Sequence, residues 1–219
     1  MRISVLCSDP AHPVFPHLAA WTERMRAQHS CELVTRAGDL RGGTLLFLVS
    51  THEVVRTDVL GAFEHALVLH ASDLPEGRGW SPHIWSVVEG HRTIVVTLLE
   101  AAEPVDSGAI WAKRSFTLGG HELHDEINAA LFAAELELLD FAVAQYGTVV
   151  PTPQRATGAS YRRRRTPDDS RIDIDQPLRS QFPILQVADP GRFPAFFEKD
   201  GFVYEIILRK RPATTETGR

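Results

Sequence analysis

The stretch LVLHASDLPEGRGWSP, residues Leu67 to Pro82, decides the fold of this chain. Apolar residues typical of a buried strand end on His70, and a loop with two prolines and two glycines follows. The loop leads into a helix start, because Ser81 is a favourable N-cap residue and Pro82 suits the first helical position. A buried strand followed by a loop and then a helix is the repeating unit of an α/β protein.

The same alternation of strand and helix patterns continues on both sides of this stretch. Strand patterns lie at 2–7, 31–35, 44–50, 66–70, 93–101 and 109–118. Helical patterns lie at 15–28, 53–63 and 82–90, and a long one at 121–146 stops at Gly147. The alternation predicts an α/β fold, a Rossmann-like parallel sheet flanked by helices, over residues 1–148.

A change of composition after Gly147 predicts a small C-terminal extension over residues 149–219. It begins with a segment rich in proline and charge, which we interpret as a loop or linker and which contains the arginine run Arg162–Arg165. The later segment PAFFEKDGFVYEIILRK predicts a β-hairpin with Asp200–Gly201 in its turn. The tail RPATTETGR is expected to be frayed.

Composition excludes several classes of function. With 219 residues, 43% of them hydrophobic, the chain can bury a sizeable core, and its formal net charge of −5 argues against a nucleic-acid partner. Cys7 and Cys31 are too few for a disulfide framework or a zinc site. The apolar start of MRISVLCSDP is too short for a signal peptide. We therefore expect a soluble, cytoplasmic protein with no membrane partner and no metal.

Polar residues follow two of the predicted strands at the points where these strands end. His70 closes one strand, and Asp106 lies in EPVDSGAI after the next strand. Because ligands of open α/β sheets bind beyond the carboxyl ends of the strands, we expect these side chains to meet there. The alternative is a strand-end histidine bonded to a backbone carbonyl and an aspartate that merely shapes a turn.

The region from Thr44 to Tyr146 resembles the catalytic core of the folate-dependent formyltransferases. This family includes methionyl-tRNA, glycinamide-ribonucleotide and sugar-nucleotide N-formyltransferases. The matching pieces are His70, Ser72, Leu74–Pro75, Arg78–Gly79, Pro82, Trp85, Gly90, Thr97–Leu98 and Asp106–Ser107–Gly108. Many matches at matched spacing make the resemblance more specific than a single short motif.

The resemblance implies a reaction and roles for residues. A primary amine attacks the formyl carbon of 10-formyltetrahydrofolate, His70 stabilises the oxyanion or relays a proton, and Asp106 holds His70. The pterin is expected beside Leu98, Leu99, Glu100, Val105 and Asp106, largely through backbone contacts. The chain departs from the family at Val68, where an asparagine normally donates to the oxyanion. One such donor is worth ~2.7–4 kcal/mol, and the hydroxyl of Ser72 or a backbone N–H is the expected substitute.

A small-molecule amine, a nucleotide-linked amino sugar first, is the expected acceptor. Sugar-modifying members carry a similar arginine-rich segment beyond the core, and arginine binds phosphates and carboxylates bidentately. The expected substrate-binding residues are Arg78, Gly79, Trp80, Arg163 and Arg164. A solvated loop with local ion pairs is the alternative interpretation of the arginine run.

Two other branches of the family are disfavoured. The methionyl-tRNA branch is expected to have a longer chain with a second, basic domain. The glycinamide-ribonucleotide branch binds its substrate phosphate with a glycine-rich loop after the first strand, and CSDPAHPV at that place contains no glycine. Three alternatives remain: an amino-acid-derived or natural-product amine as the acceptor, hydrolysis of the donor by water, and a non-catalytic folate-binding relic.

Phe196 and Phe197 either pack the extension on the core, form a shelf for a ring, or contact a second copy in a homodimer. His121 and His124 match a helix start better than a metal site.

Overall fold

The computed structural model describes residues 1–213, so the last six residues of the tail predicted to fray lie outside it. The strands are β1 Arg2–Leu6, β2 Ser30–Val34, β3 Gly43–Leu48, β4 Phe63–His70, β5 Arg78–Gly79, β6 Thr93–Glu100, β7 Ile110–Thr117, β8 Tyr161–Arg162, β9 Ala195–Lys199 and β10 Phe202–Ile206. The helices are α1 Phe15–Met25, α2 Thr57–Leu60, α3 Pro82–Val88, α4 His124–Ala144 and α5 Leu178–Gln186. Of these elements, α5 and the short β5 and β8 were not predicted.

A six-stranded sheet in the order β2-β1-β3-β4-β6-β7 forms the centre of the fold, and it confirms the predicted α/β class. The first four strands are parallel, whereas β6 runs antiparallel to both β4 and β7. The connection between β4 and β6, which contains the seven-residue helix α3, returns the chain antiparallel to β4, whereas the predicted parallel sheet requires a crossover there.

The two faces of the sheet are covered differently. One face packs on α1 and α4 and contains the larger core cluster, to which Leu67 and Leu69 belong. The other face carries a smaller cluster covered by α2 and neighbouring loops, and Val68 packs against it. Since side chains alternate along a strand, His70 lies on the same face as Val68. The site therefore develops on the thinly covered face.

The C-terminal extension first returns to the α/β domain and then forms a small cluster of its own. Thr152 pairs with Ile110 at the end of the sheet, and β8 pairs with β5. The predicted hairpin is confirmed as β9 and β10, with positive φ at both turn residues, Asp200 and Gly201. No helix among residues 1–213 combines the length and apolar character needed to cross a bilayer.

Candidate active site

His70 and Asp106 meet in a buried pair. Nδ1 of His70 lies 3.5 Å from Oδ1 of Asp106, and both residues are less than a tenth exposed. The other ring nitrogen, Nε2, is 2.8 Å from the carbonyl oxygen of Gly77. The second carboxylate oxygen of Asp106 accepts the N–H of Gly79 at 3.0 Å. The two side chains predicted to meet are thus held together by the loop that follows β4.

The route by which Asp106 reaches His70 differs from the predicted one. Because β6 is antiparallel, its end lies beside the middle of β4, where the N–H of Ala101 donates to the carbonyl of Ala66. The chain then returns through a loop, in which Asp106 has a left-handed backbone with φ of 62°. Gly108 packs so tightly on Glu100 that a Cβ would lie 1.8 Å from the carbonyl oxygen. A returning loop, not a parallel strand end, therefore presents the carboxylate.

The hydrogen bonds of His70 determine what the pair can do with protons. The carbonyl of Gly77 only accepts, so Nε2 carries the hydrogen in this arrangement. In a neutral ring, Nδ1 then presents a lone pair to the carboxylate of Asp106. A second proton at Nδ1 turns this contact into a charge-assisted hydrogen bond. Nδ1, which faces Asp106, is therefore the ring nitrogen that is left to carry a second hydrogen.

The loop after His70 is held from several sides. The hydroxyl of Thr97 donates to the carbonyl of Ser72 at 2.6 Å, and the ammonium of Lys113 donates to the carbonyl of Leu74 at 2.7 Å. The hydroxyl of Ser72 is buried against Gly77 and has no hydrogen-bond partner among the described residues. Ser72 thus has a donor to offer, and its role at the oxyanion stays a prediction.

The residues expected to contact a cofactor differ in their exposure, and their role stays a prediction. The side chains of Leu98 and Leu99 are fully buried, and their backbones lie inside the sheet between β4 and β7. Glu100 is held by the indole of Trp111, whose N–H lies 3.2 Å from its carboxylate. Val105, by contrast, is 65% exposed in the same loop as Asp106. Of these residues, Val105 is therefore the one whose side chain is largely open to solvent.

The arginine run is largely occupied by contacts within the protein. The guanidinium of Arg163 lies 4.8 Å from the centre of the Trp85 ring and pairs with Asp169, whose pKa it holds well below the usual range. Arg162 pairs with Glu89. Arg164 lies 5.0 Å from the centre of the Trp80 ring and is exposed. A phosphate clamp at Arg163 would have to break its ion pair with Asp169, and this pair agrees with the alternative interpretation of a loop with local ion pairs.

Two other expected substrate contacts also have partners already. A guanidinium nitrogen of Arg78 donates to the side-chain oxygen of Gln154 at 2.7 Å, and the N–H of Gly79 is bonded to Asp106. Trp80 and Arg164 are the members of the expected set that remain open to a ligand. Trp80 is 36% exposed and has the His52 ring stacked on it.

Sequence reasoning missed two polar residues of the segment interpreted as a linker. The amide of Gln154 donates to the carbonyls of Asp106 and Gly108 at 2.8 and 2.9 Å. The hydroxyl of Ser160 accepts the N–H of Gly77 at 2.9 Å, and its carbonyl accepts the N–H of Arg78. Neither residue belongs to a periodic pattern or a known short motif, so the sequence contained no signal for them.

Two further histidines, His83 and His12, have lowered pKa values. Burial, together with the charges of His12 and His70, lowers the pKa of His83 to about 4. Nδ1 of His83 is buried and has no partner among the described residues. Burial and the charge of Arg192 likewise lower the pKa of His12 to about 4. Both imidazoles are therefore neutral near pH 7.

Within residues 1–213, no three histidine, cysteine, aspartate or glutamate side chains are grouped closely enough to hold a metal ion. A cavity of about 210 Å³ lies between α1 and α4, away from the pair, and His17, His124 and Asp189 contribute to its lining.

Relatives and solved structures point to one family. No family model matches the chain. It is 28% identical over 141 residues, 63% of its length, to methionyl-tRNA formyltransferase of Corynebacterium urealyticum, covering 43% of that protein. HypX of Aquifex aeolicus in complex with tetrahydrofolic acid has a TM-score of 0.71 over 90% of this chain and 36% of that one, at 21% identity. A sugar N-formyltransferase from a Shewanella species has a TM-score of 0.71 over 98% and 99%, at 14% identity.

The architecture is an α/β formyltransferase fold, shared with solved formyltransferase structures. The curated relatives of the chain are methionyl-tRNA formyltransferases, 28–31% identical over 61–71% of its length. The likenesses to solved structures concern the fold alone, since they lie below 25% identity. The chain spans less than half of the length of the curated relatives it matches, with 43–49% of each covered.

Proposed function

We propose that the protein transfers the formyl group of 10-formyltetrahydrofolate to the primary amine of a small molecule. The observation that carries this proposal is the buried His70–Asp106 pair, on a fold whose sequence relatives are formyltransferases. A neighbour in fold, HypX, was solved with tetrahydrofolic acid, which supports a folate as the donor.

The residues around the pair fit a pterin with a formyl group. Ala66, Val68 and Ala101 are half-buried apolar residues beside His70, on the face without a long helix, and they suit a flat ring. The unpartnered hydroxyl of Ser72 is a donor available in the same loop. When bound, 10-formyltetrahydrofolate supplies the formyl carbon that accepts the amine.

The roles of the protein residues follow from their protons. The attacking amine must lose a proton as its nitrogen bonds to the formyl carbon, and the departing folate nitrogen must gain one. His70 accepts and returns this proton, and the carboxylate of Asp106 stabilises the imidazolium that forms in between. Val68 offers no hydrogen bond to the oxyanion, so Ser72 or a backbone N–H has to provide it.

We propose a nucleotide-linked amino sugar as the acceptor. Trp80 and Arg164 support it, because they offer an aromatic face and a cation to a base or a phosphate near the catalytic loop. The similarity in fold to a sugar N-formyltransferase adds to this support. An amino-acid-derived amine is the second candidate, since the carboxylate of such a compound also pairs with arginine.

We propose a homodimer as the assembly. Three apolar residues of β10, Phe202, Val203 and Tyr204, are 44–67% exposed. One edge of β10 pairs with β9, and the other edge pairs with no strand among residues 1–213. A strand edge with apolar side chains favours pairing with another strand. Sedimentation of the protein before and after Val203→Lys tests this, and a monomer in both cases contradicts it.

Titration with 10-formyltetrahydrofolate or a stable analogue, followed by turnover, tests the proposed reaction. His70→Ala and Asp106→Asn are expected to bind the folate as the wild type does and to lose about 10²–10⁴-fold in rate. His65→Ala, which removes a histidine elsewhere on β4, is the matched control and keeps the rate. Absence of folate binding by the wild type would overturn the proposal.

Product analysis separates transfer from its two alternatives. Release of formate without an amine indicates hydrolysis, and binding without turnover indicates a folate-binding relic. Formylated amine that forms only when donor and acceptor are both present supports transfer.

A further inference from the structure

We propose that Gln154 is a positioning residue that sets the place of the Asp106 carboxylate. This inference rests on the proposed function for its effect on rate, whereas its structural part is independent of any activity. Gln154 lies outside the region of family resemblance, in the segment that follows α4.

Gln154 joins the two loops that build the site. Its amide group donates to the carbonyls of Asp106 and Gly108, at 2.8 and 2.9 Å. Its side-chain oxygen accepts a guanidinium nitrogen of Arg78 at 2.7 Å. The N–H of Gly79, the residue after Arg78, donates in turn to the carboxylate of Asp106. These bonds close a ring that connects three separate segments of the chain.

The orientation of the Gln154 amide is determined by its neighbours. Two carbonyl oxygens face its nitrogen and a guanidinium faces its oxygen, so a flipped amide would lose every one of these bonds. Only a glutamine, with a donor and an acceptor at this distance from the backbone, satisfies both loops.

The Asp106 turn is the part of the site that needs such a clamp. Its backbone is left-handed at Asp106, with φ of 62°, a conformation that aspartate tolerates better than most L-residues but that the carbonyl bonds of the turn help to fix. The carboxylate lies 3.5 Å from Nδ1 of His70, at the limit of a useful contact. A displacement of about 1 Å would separate them, and such a misplacement can cost about 10²-fold in rate.

The experiment compares three glutamine variants. Gln154→Ala removes the clamp. Gln154→Glu keeps its size and its bond to Arg78 but points an oxygen at two carbonyls. Gln181→Ala is the matched control, since Gln181 bonds the backbone N–H and carbonyl of Asp173 in the same manner, in the extension.

Amide exchange of Gly79, followed by NMR, reports on the carboxylate without any substrate. We expect Gln154→Ala to accelerate this exchange about tenfold and Gln181→Ala to leave it unchanged. With donor and amine, we expect Gln154→Ala to lower kcat about 10–100-fold, with KM for the donor within about twofold. The rate of Gln154→Glu relative to wild type should recover as the pH falls, because a protonated carboxyl again donates.

Each outcome decides the proposal. Unchanged exchange at Gly79 in folded Gln154→Ala and Gln154→Glu overturns the clamp, whether or not the protein is active. Faster exchange with kcat within twofold of wild type shows that the clamp does not serve catalysis and also overturns it. If the wild type transfers no formyl group, the proposed function fails, and the exchange of Gly79 still decides whether Gln154 holds Asp106.

Discussion

Replacing Glu135 by glutamine should change how the stability of this protein depends on pH. Glu135 lies in α4, is 6% exposed, and has a carboxylate oxygen without a partner among the described residues. Burial raises the pKa of its carboxyl to about 8, from an ordinary value of 4.5. The charge of Glu135 contributes to the raised pKa of Cys7. Burial is the main cause, and it raises that pKa to about 11, so Cys7 stays a neutral thiol in this pH range.

The sign and size of the effect follow from these values. The folded chain keeps the proton of Glu135 up to about pH 8, whereas the unfolded chain releases it near 4.5. The unfolded state therefore binds fewer protons in this window, and the wild type loses stability as the pH rises through it. Between pH 5 and pH 7 the loss amounts to about 2–3 kcal/mol.

Urea unfolding of wild type and Glu135→Gln at both pH values measures this loss. Glutamine does not titrate, so the stability of the variant relative to wild type should increase by about 2–3 kcal/mol from pH 5 to pH 7. Glu137→Gln, a change at a carboxylate 66% exposed on the same helix, is the control and should shift by much less. A difference for Glu135→Gln that stays constant within about 0.5 kcal/mol would refute the reasoning.

Two further substitutions test the site and the loop around it. Val68→Asn places an amide donor on the face that carries His70, and we expect the rate of formyl transfer to rise about tenfold or more in single-turnover assays. An unchanged rate would show that position 68 does not face the oxyanion. Gly79→Ala forces a Cβ to within 2.4 Å of the Arg162 carbonyl oxygen at φ of 97°, and we expect it to destabilise the protein by about 2 kcal/mol or more in urea unfolding. Gly147→Ala has a positive φ in open space, and an equal loss there would contradict the steric argument.

Much of the fold was accessible to local patterns. The apolar runs predicted each strand of the central sheet, because strands of a buried sheet need continuous or alternating apolar residues. Asp200–Gly201 predicted the hairpin turn, since both residues tolerate a positive φ. The antiparallel direction of β6 could not be predicted, because a strand, a loop with a helix and a second strand give the same apolar pattern for a parallel and an antiparallel pair.

The sequence alone determined that His70 and Asp106 belong to one site, since both follow strands of a single sheet and match one family motif. Only the tertiary structure decided how they meet: Asp106 returns through a loop beside an antiparallel strand. It also showed that Leu98 and Leu99 are buried, that Arg163 is paired with Asp169, and that Gln154 bonds the Asp106 turn. Contacts between distant segments depend on how the elements pack, and hydrophobic periodicity does not encode the partner of an individual polar side chain.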